Sequence, residues 1–395
     1  MLAHYRGTLP CRQISGLHRG CRQLLSGVAD RSVRTISRFS RRRASFRAGR
    51  QVALAGGLLA GGMLLTAGRR TPAPAVVQTQ QHRVTRFALE EVQTFGAPGL
   101  DAQKTRARAG GDILVAIAAI AEGRDGALYV LDQSYKKVVV FDPGGKLRRV
   151  VLGGHGQGPG EFMFPTAMDL TSDGRLAVFD YGLNRVTFFD SSGTFSHSVV
   201  TDRAKDVVVT DDTIWGSGMP GRDHMVWAYP ASGGARRWEI VVDRAHRSFD
   251  PTGAVARLGR GAQRELLVAD DRPGIWYTRT GGAFTRRGLE LFPGARFAML
   301  DGIAVPPAST IGIGTLEGGR IAIAYVKHTF PGTRQGRPTH AYFIGMFNAQ
   351  GEVVGEIPLG GKRVAVFATS RDGRFVYLPR SEPYPQVVKY RVVSR

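Results

Sequence analysis

The feature that most constrains this chain is a repeated unit, clearest at residues 166–195. An apolar segment (Ala167-Met168-Asp169-Leu170) meets a turn (Ser172-Asp173-Gly174) and then a strand-like run, Leu176–Asp180. A polar break (Tyr181–Asn184), a second run (Arg185–Phe189) and a turn (Asp190-Ser191-Ser192-Gly193) follow. The same order occurs at Ile117–Leu147: Asp125-Gly126, Leu128–Asp132, Val138–Phe141, then Asp142-Pro143-Gly144-Gly145. A module of hairpins cannot bury both of its faces alone, so it must stack on copies of itself.

Four further units follow with more drift. Their first and second strand-like runs are Thr213–Gly216 with Met225–Tyr229, Glu265–Ala269 with Ile275–Thr278, Ile321–Tyr325 with Ala341–Phe347, and Phe375–Leu378 with Val387–Val393. Six units over the 313 residues from Arg83 onward give about 52 each, the size of a β-propeller blade with loop insertions. The sixth unit ends without an outer strand, which would leave an open edge. The alternating segment Arg83–Leu89 can supply it. The expected fold is therefore all-β, a six-bladed β-propeller closed by an N-terminal strand.

Ahead of it lie an Arg-rich leader (1–50), a hydrophobic segment (51–68) read as one short helix, and a Pro/Ala/Gln linker (69–82). Residues 1–70 hold 14 Arg and one acid, Asp30, a net +13; the remaining 40 Lys and Arg against 31 Asp and Glu leave only +9. The total of +22 therefore says little about nucleic acid. Both cysteines, Cys11 and Cys21, are in the leader, so the repeats hold no disulfide and no thiolate metal site. As a helix, Val52–Gly68 would span about 25 Å, slightly short of the roughly 30 Å hydrocarbon core. Its length and basic flank fit an export signal or a short anchor. Arg42-Arg43-Ala44-Ser45-Phe46-Arg47 resembles the twin-arginine motif, although Ser45 and Arg41 depart from it, and a plain Sec-type n-region fits equally. No lipobox cysteine follows. The expected location is the cell envelope, periplasmic or extracytoplasmic, with residues 52–68 holding the chain in the inner membrane if uncleaved.

The segment Gly154-His155-Gly156-Gln157-Gly158-Pro159-Gly160-Glu161-Phe162, with Phe164-Pro165, Gly174–Asp180 and Asn184-Arg185-Val186, resembles the NHL repeat. It is more similar to bacterial six-bladed propeller proteins carrying Gly-Gln-Gly-Pro-Gly-Glu-Phe. The likeness is good over Leu147–Phe195, fair over Ile117–Leu147 and architectural elsewhere. Arg185 stands where the NHL pattern has His. The resemblance implies a six-bladed ring with a central channel and no single activity, because such rings host binding, lyase and lactonase functions.

In such a ring the short Gly/Asp hairpin turns share one face. Blade-to-blade crossovers and the loops between second and third strands share the other, where recognition is expected. That variable face carries the candidate ligand-binding residues His155, Gln157, Tyr181, Arg185, His224, His328, Arg334, Arg337 and His340. Its basic and aromatic character suits an anionic or glycan-like ligand or an acidic protein patch; the competing reading is a solvated loop set. The glycine run Gly153–Gly160 lacks the Lys-Ser/Thr and the helix of a phosphate cradle, so it reads as a sharp turn. No catalytic motif appears, and neither a metal nor a cofactor is expected. His328 and His340 share a loop with no third ligand. The channel is expected to be lined mainly by apolar and small groups, with Asp169 and Asp206 among its few polar residues. The leading function is an exported or membrane-tethered binding or scaffolding module. A metal-dependent lactonase or lyase is the alternative, and nucleic-acid binding, disfavoured by export, is the second.

Overall fold

The computed structural model describes residues 86–98, 111–210, 212–217, 226–239, 253–258, 265–280, 282–293, 298–300, 303–330, 338–360 and 363–395. The leader, hydrophobic segment and linker lie outside the described residues, as do His224, Arg334 and Arg337. Among the described residues, no helix is long and apolar enough to cross a membrane.

The chain starts with β1 (Phe87–Phe95) and then forms blades of four antiparallel strands. Blade 1 is β2 (Ile117–Glu122), β3 (Leu128–Asp132), β4 (Lys137–Phe141) and β5 (Leu147–Leu152). Blade 2 is β6 (Pro165–Leu170), β7 (Leu176–Asp180), β8 (Arg185–Phe189) and β9 (Phe195–Val200). Blade 3 is β10 (Val207–Thr210), β11 (Thr213–Ser217), β12 (Val226–Pro230) and β13 (Arg237–Glu239). Blade 4 is β14 (Val255–Leu258), β15 (Glu265–Ala269), β16 (Trp276–Thr280) and β17 (Ala283–Arg287). A ribbon of β18 (Ala298–Leu300) and β19 (Ile303–Val305) precedes blade 5, which is β20 (Ala308–Leu316), β21 (Arg320–Thr329), β22 (Thr339–Phe347) and β23 (Val353–Pro358). Blade 6 is β24 (Ala368–Thr369), β25 (Phe375–Arg380) and β26 (Gln386–Ser394), completed on its outer edge by β1.

The second and third strands of blades 1 and 2 are apolar on both faces, because each blade is sandwiched between two others. In β3, Leu128 and Val130 join Phe95 and Tyr377 on the blade 6 side, while Tyr129 and Leu131 join Met168 and Val178 on the blade 2 side. The two-residue period of the strand thus builds two cores from one run. Six such clusters occur among the described residues, one at each blade interface, and the sixth joins blade 6 to blade 1. That last cluster closes the ring. The outer strand β9, Phe-Ser-His-Ser-Val-Val, is largely exposed, as an edge should be.

β1 pairs with β26 from Phe87↔Ser394 to Phe95↔Val387. The expected closure therefore holds, but the strand runs further than Leu89. Glu90-Glu91-Val92 breaks the alternation on which the sequence reading relied, and the pairing absorbs it with a bulge between Glu91 and Gln93. Blade 5 departs from expectation in another way. Val326–Thr329 and Thr339–His340, read as loop, continue the β21–β22 ladder through His328↔His340.

Candidate functional site

The crossover face is built by a device used twice. At the end of β3, the fully buried Asp132 accepts N–H bonds from Val115 (2.8 Å), Ser134 (2.9 Å) and Tyr135 (3.2 Å). At the end of β7, the fully buried Asp180 accepts them from Met163 (2.6 Å), Phe164 (3.0 Å), Gly182 (2.8 Å) and Leu183 (3.1 Å). Each carboxylate thus ties the incoming crossover to the loop between the second and third strands. Five residues later stands a cation. Lys137 donates to the carbonyls of Gly111 (2.7 Å) and Ile113 (2.9 Å); burial lowers its pKa, opposed by the Asp132 and Asp112 charges. Arg185 donates to the carbonyls of Gln157 (3.0 Å), Gly158 (2.8 Å) and Glu161 (2.7 Å). Between acid and base, Lys136 and Asn184 occupy equivalent left-handed positions (φ 53° and 49°).

The glycine run between β5 and β6 folds under its own side chains. A Cβ on Gly153 would lie 2.1 Å from the Phe162 ring, and one on Gly156 would lie 2.0 Å from a Glu161 carboxylate oxygen. Glu161 also accepts the Gly158 N–H (2.8 Å). The run is a packed turn pinned by Arg185, which leaves His155 and Gln157 exposed at its surface.

Tyr181 belongs to a mixed ladder on this face. Lys136 Nζ sits 5.8 Å from the Phe164 ring centre, Phe164 meets Tyr181 edge-on at 6.4 Å, and the Arg203 guanidinium lies 5.3 Å from the Tyr181 ring. Phe164 is 48% exposed. In blade 5, His328 Nδ1 and His340 Nδ1 lie 2.9 Å apart, and burial, then the neighbouring His340, lowers the His328 pKa. Of the nine candidates, six lie among the described residues, and the contacts recorded for them are local. Arg185 meets the Gln157 backbone, His328 meets His340, and Tyr181 meets residues outside the list, of which Arg203 had no motif to announce it.

The central channel encloses about 750 Å³. Its waist is apolar, with Ile120, Met168, Val208, Ile313 and Phe367, but its ends are more highly charged than expected. Glu122, Arg124, Asp169, Lys205, Asp206, Arg257, Arg371 and Asp372 all line it. Part of the reason is structural. Inner strands are edges, so their N–H groups face the channel without a ladder partner. Asp169 accepts from Val209 (2.7 Å), Asp206 from Val255 (3.1 Å) and Glu122 from Arg371 (2.7 Å), each across a blade interface. Arg257 reaches back over blade 3 to Asp169 (2.6 Å), the Val209 carbonyl (2.6 Å) and the Leu170 carbonyl. Burial pushes the Asp206 carboxyl up to about 6, against the N–H bonds from Val255 and Val207. Arg257 escaped the sequence reading because blade 4 is where the repeat drifts most. Arg371 escaped it because Arg371-Asp372-Gly373 reads only as a turn. Its place directly after an inner strand was the available signal.

Among known proteins, residues 112–212 match the family model DUF5128, described as a six-bladed β-propeller. No curated protein matches the sequence. A DUF4221 family member from Bacteroides vulgatus superposes with a TM-score of 0.54 at 11% identity, covering 79% of this chain and all of that one. A "putative exported protein" from Bacteroides fragilis superposes at 0.52 and 12% identity, covering 80% of this chain and 98% of that one. At these identities the likeness speaks to fold, and the fold is a six-bladed propeller.

Proposed function

We propose that the propeller is an exported binding module whose crossover face takes an anionic, glycan-like ligand. The observation that carries this reading is the ladder Lys136–Phe164–Tyr181–Arg203. Two aromatic faces offer stacking area to sugar rings, and the flanking cations offer charge to carboxylates. The Asp132 and Asp180 anchors hold the ladder rigid, which lowers the ordering cost of binding. His155 and Gln157 extend the same face. His328 and His340 add a polar pair in blade 5, and the sequence candidates His224, Arg334 and Arg337 belong to the same proposal. Export is supported by the Arg-rich leader, by Val52–Gly68 and by the description of the Bacteroides fragilis neighbour. Retention in the inner membrane through residues 52–68 is part of the proposal, and so is the NHL-like character of the repeat. The lactonase or lyase alternative draws no support from ligand geometry, since among the described residues no three His, Cys, Asp or Glu gather to hold a metal.

The test compares polygalacturonate with neutral dextran as ligands of the full-length chain. The expected result is binding of the acidic polymer that falls at least about 10-fold in a Lys136→Ala, Phe164→Ala, Tyr181→Ala, Arg203→Ala variant with an unchanged melting temperature, given about 0.5–2 kcal/mol per contact of a cation with an aromatic face. Equal affinity in wild type and variant would sink the reading.

A further inference from the structure

The hairpin-face mouth of the channel has an unusual hydrogen-bonding balance. Its carboxylates are all committed. Glu122 accepts from the Arg371 N–H (2.7 Å) and the Tyr377 hydroxyl (2.6 Å). Asp169 accepts from Val209 (2.7 Å), Leu170 (2.8 Å) and Arg257 (2.6 Å). Asp372 accepts from the Ser370 hydroxyl (2.6 Å) and the Arg374 N–H (3.0 Å). The unspent groups are donors. The guanidinium groups of Arg124 and Arg371 make no hydrogen bond or ion pair among the described residues. Arg257 Nε is buried without a partner. Burial, then the neighbouring Arg257 and Arg124 charges, holds Arg371 below the usual guanidinium range. Arg257 is paired with Asp169, and Asp169 and Glu122 partly offset the repulsion on Arg371, so the capacity left at the mouth is the unused donors of Arg124 and Arg371.

We infer that this mouth is a second binding site, where Arg124, Arg257 and Arg371 hold the oxyanion head of a small amphipathic molecule whose apolar body lies in the channel. Guanidinium forks match phosphate and carboxylate oxygens, and such bonds are the stronger kind. Behind the mouth, Ile120, Met168 and Phe367 provide an apolar wall. The volume of about 750 Å³ falls within the range of small-molecule pockets. The site lies on the opposite face from the aromatic ladder, so it stands or falls independently of the reading above.

Calorimetric titration of the full-length chain with 1-naphthyl phosphate, 1-naphthol and inorganic phosphate tests it. The expected result is one 1-naphthyl phosphate per chain, bound at least about 10-fold more tightly than either fragment. An Arg124→Ala, Arg371→Ala double variant is expected to lose at least about 10-fold of that affinity, with its melting temperature and 1-naphthol binding unchanged. Both side chains lack partners, so their removal leaves the blades intact. Binding of 1-naphthyl phosphate that survives in the double variant would lie elsewhere on the chain and would overturn the inference. So would equal affinity for 1-naphthyl phosphate and 1-naphthol, or no binding at all.

Discussion

At the scale of single residues, the charged groups of the channel do structural work first. Asp206 accepts the Val255 N–H across the interface between blades 3 and 4, and that position leaves its carboxyl with a pKa of about 6. The unfolded value is about 3.9, so between about pH 4 and about pH 6 the native chain holds a proton that the unfolded chain has released. The stability linked to that proton is fully present below about pH 4 and is lost as the pH rises through about 6. Asp206→Asn removes this titration. From pH 4.5 to 6.5 the melting temperature of wild type is expected to fall relative to that of the variant, and an identical change in both would show that Asp206 does not titrate in this window. The sequence exposed Asp169 and Asp206 as polar exceptions on inner segments. It could not show that Arg257, 88 residues from Asp169, would complete the pair, because that contact depends on how blades 2 to 4 curve round the channel.

At the scale of elements, the repeat carried its own anchors. The strand-end Asp and the base five residues later recur as Asp132/Lys137 and Asp180/Arg185, and both pairs clamp a crossover. Arg185 serves the turn through its bonds to three crossover carbonyls. Asp180→Ala strips acceptors from four N–H groups. At about 1–3 kcal/mol for each buried group left unpaired, the expected loss is at least about 3 kcal/mol in urea unfolding. A loss below about 0.5 kcal/mol would mean that the loop does not depend on this anchor. The turns and the second and third strands of blades 1 and 2 were legible because both their faces are buried and their turn residues are unambiguous. Val326–Thr329 was not. Its Lys, His and Thr side chains read as loop, and only the backbone ladder to Thr339–His340 makes it strand. The ribbon of β18 and β19 was missed because three-residue strands leave no period to detect.

At the scale of the whole molecule, six interfaces each carry a hydrophobic cluster, and the ring depends on the one that joins its two ends. Phe95 meets Phe141 (5.7 Å) and Tyr377 (6.4 Å) there, so β1 seals blade 6 while packing on blade 1. This closure is what opposes the two faces of the molecule, the aromatic ladder on one and the arginine mouth on the other. The most direct test is a crosslink between the paired positions 88 and 393. In a full-length chain with Cys11 and Cys21 replaced by serine, Ala88→Cys and Val393→Cys are expected to oxidise to one intramolecular disulfide, read by peptide mass mapping, and to raise the melting temperature. Persistent free thiols, or bonds formed only between two chains, would contradict the closed six-bladed ring.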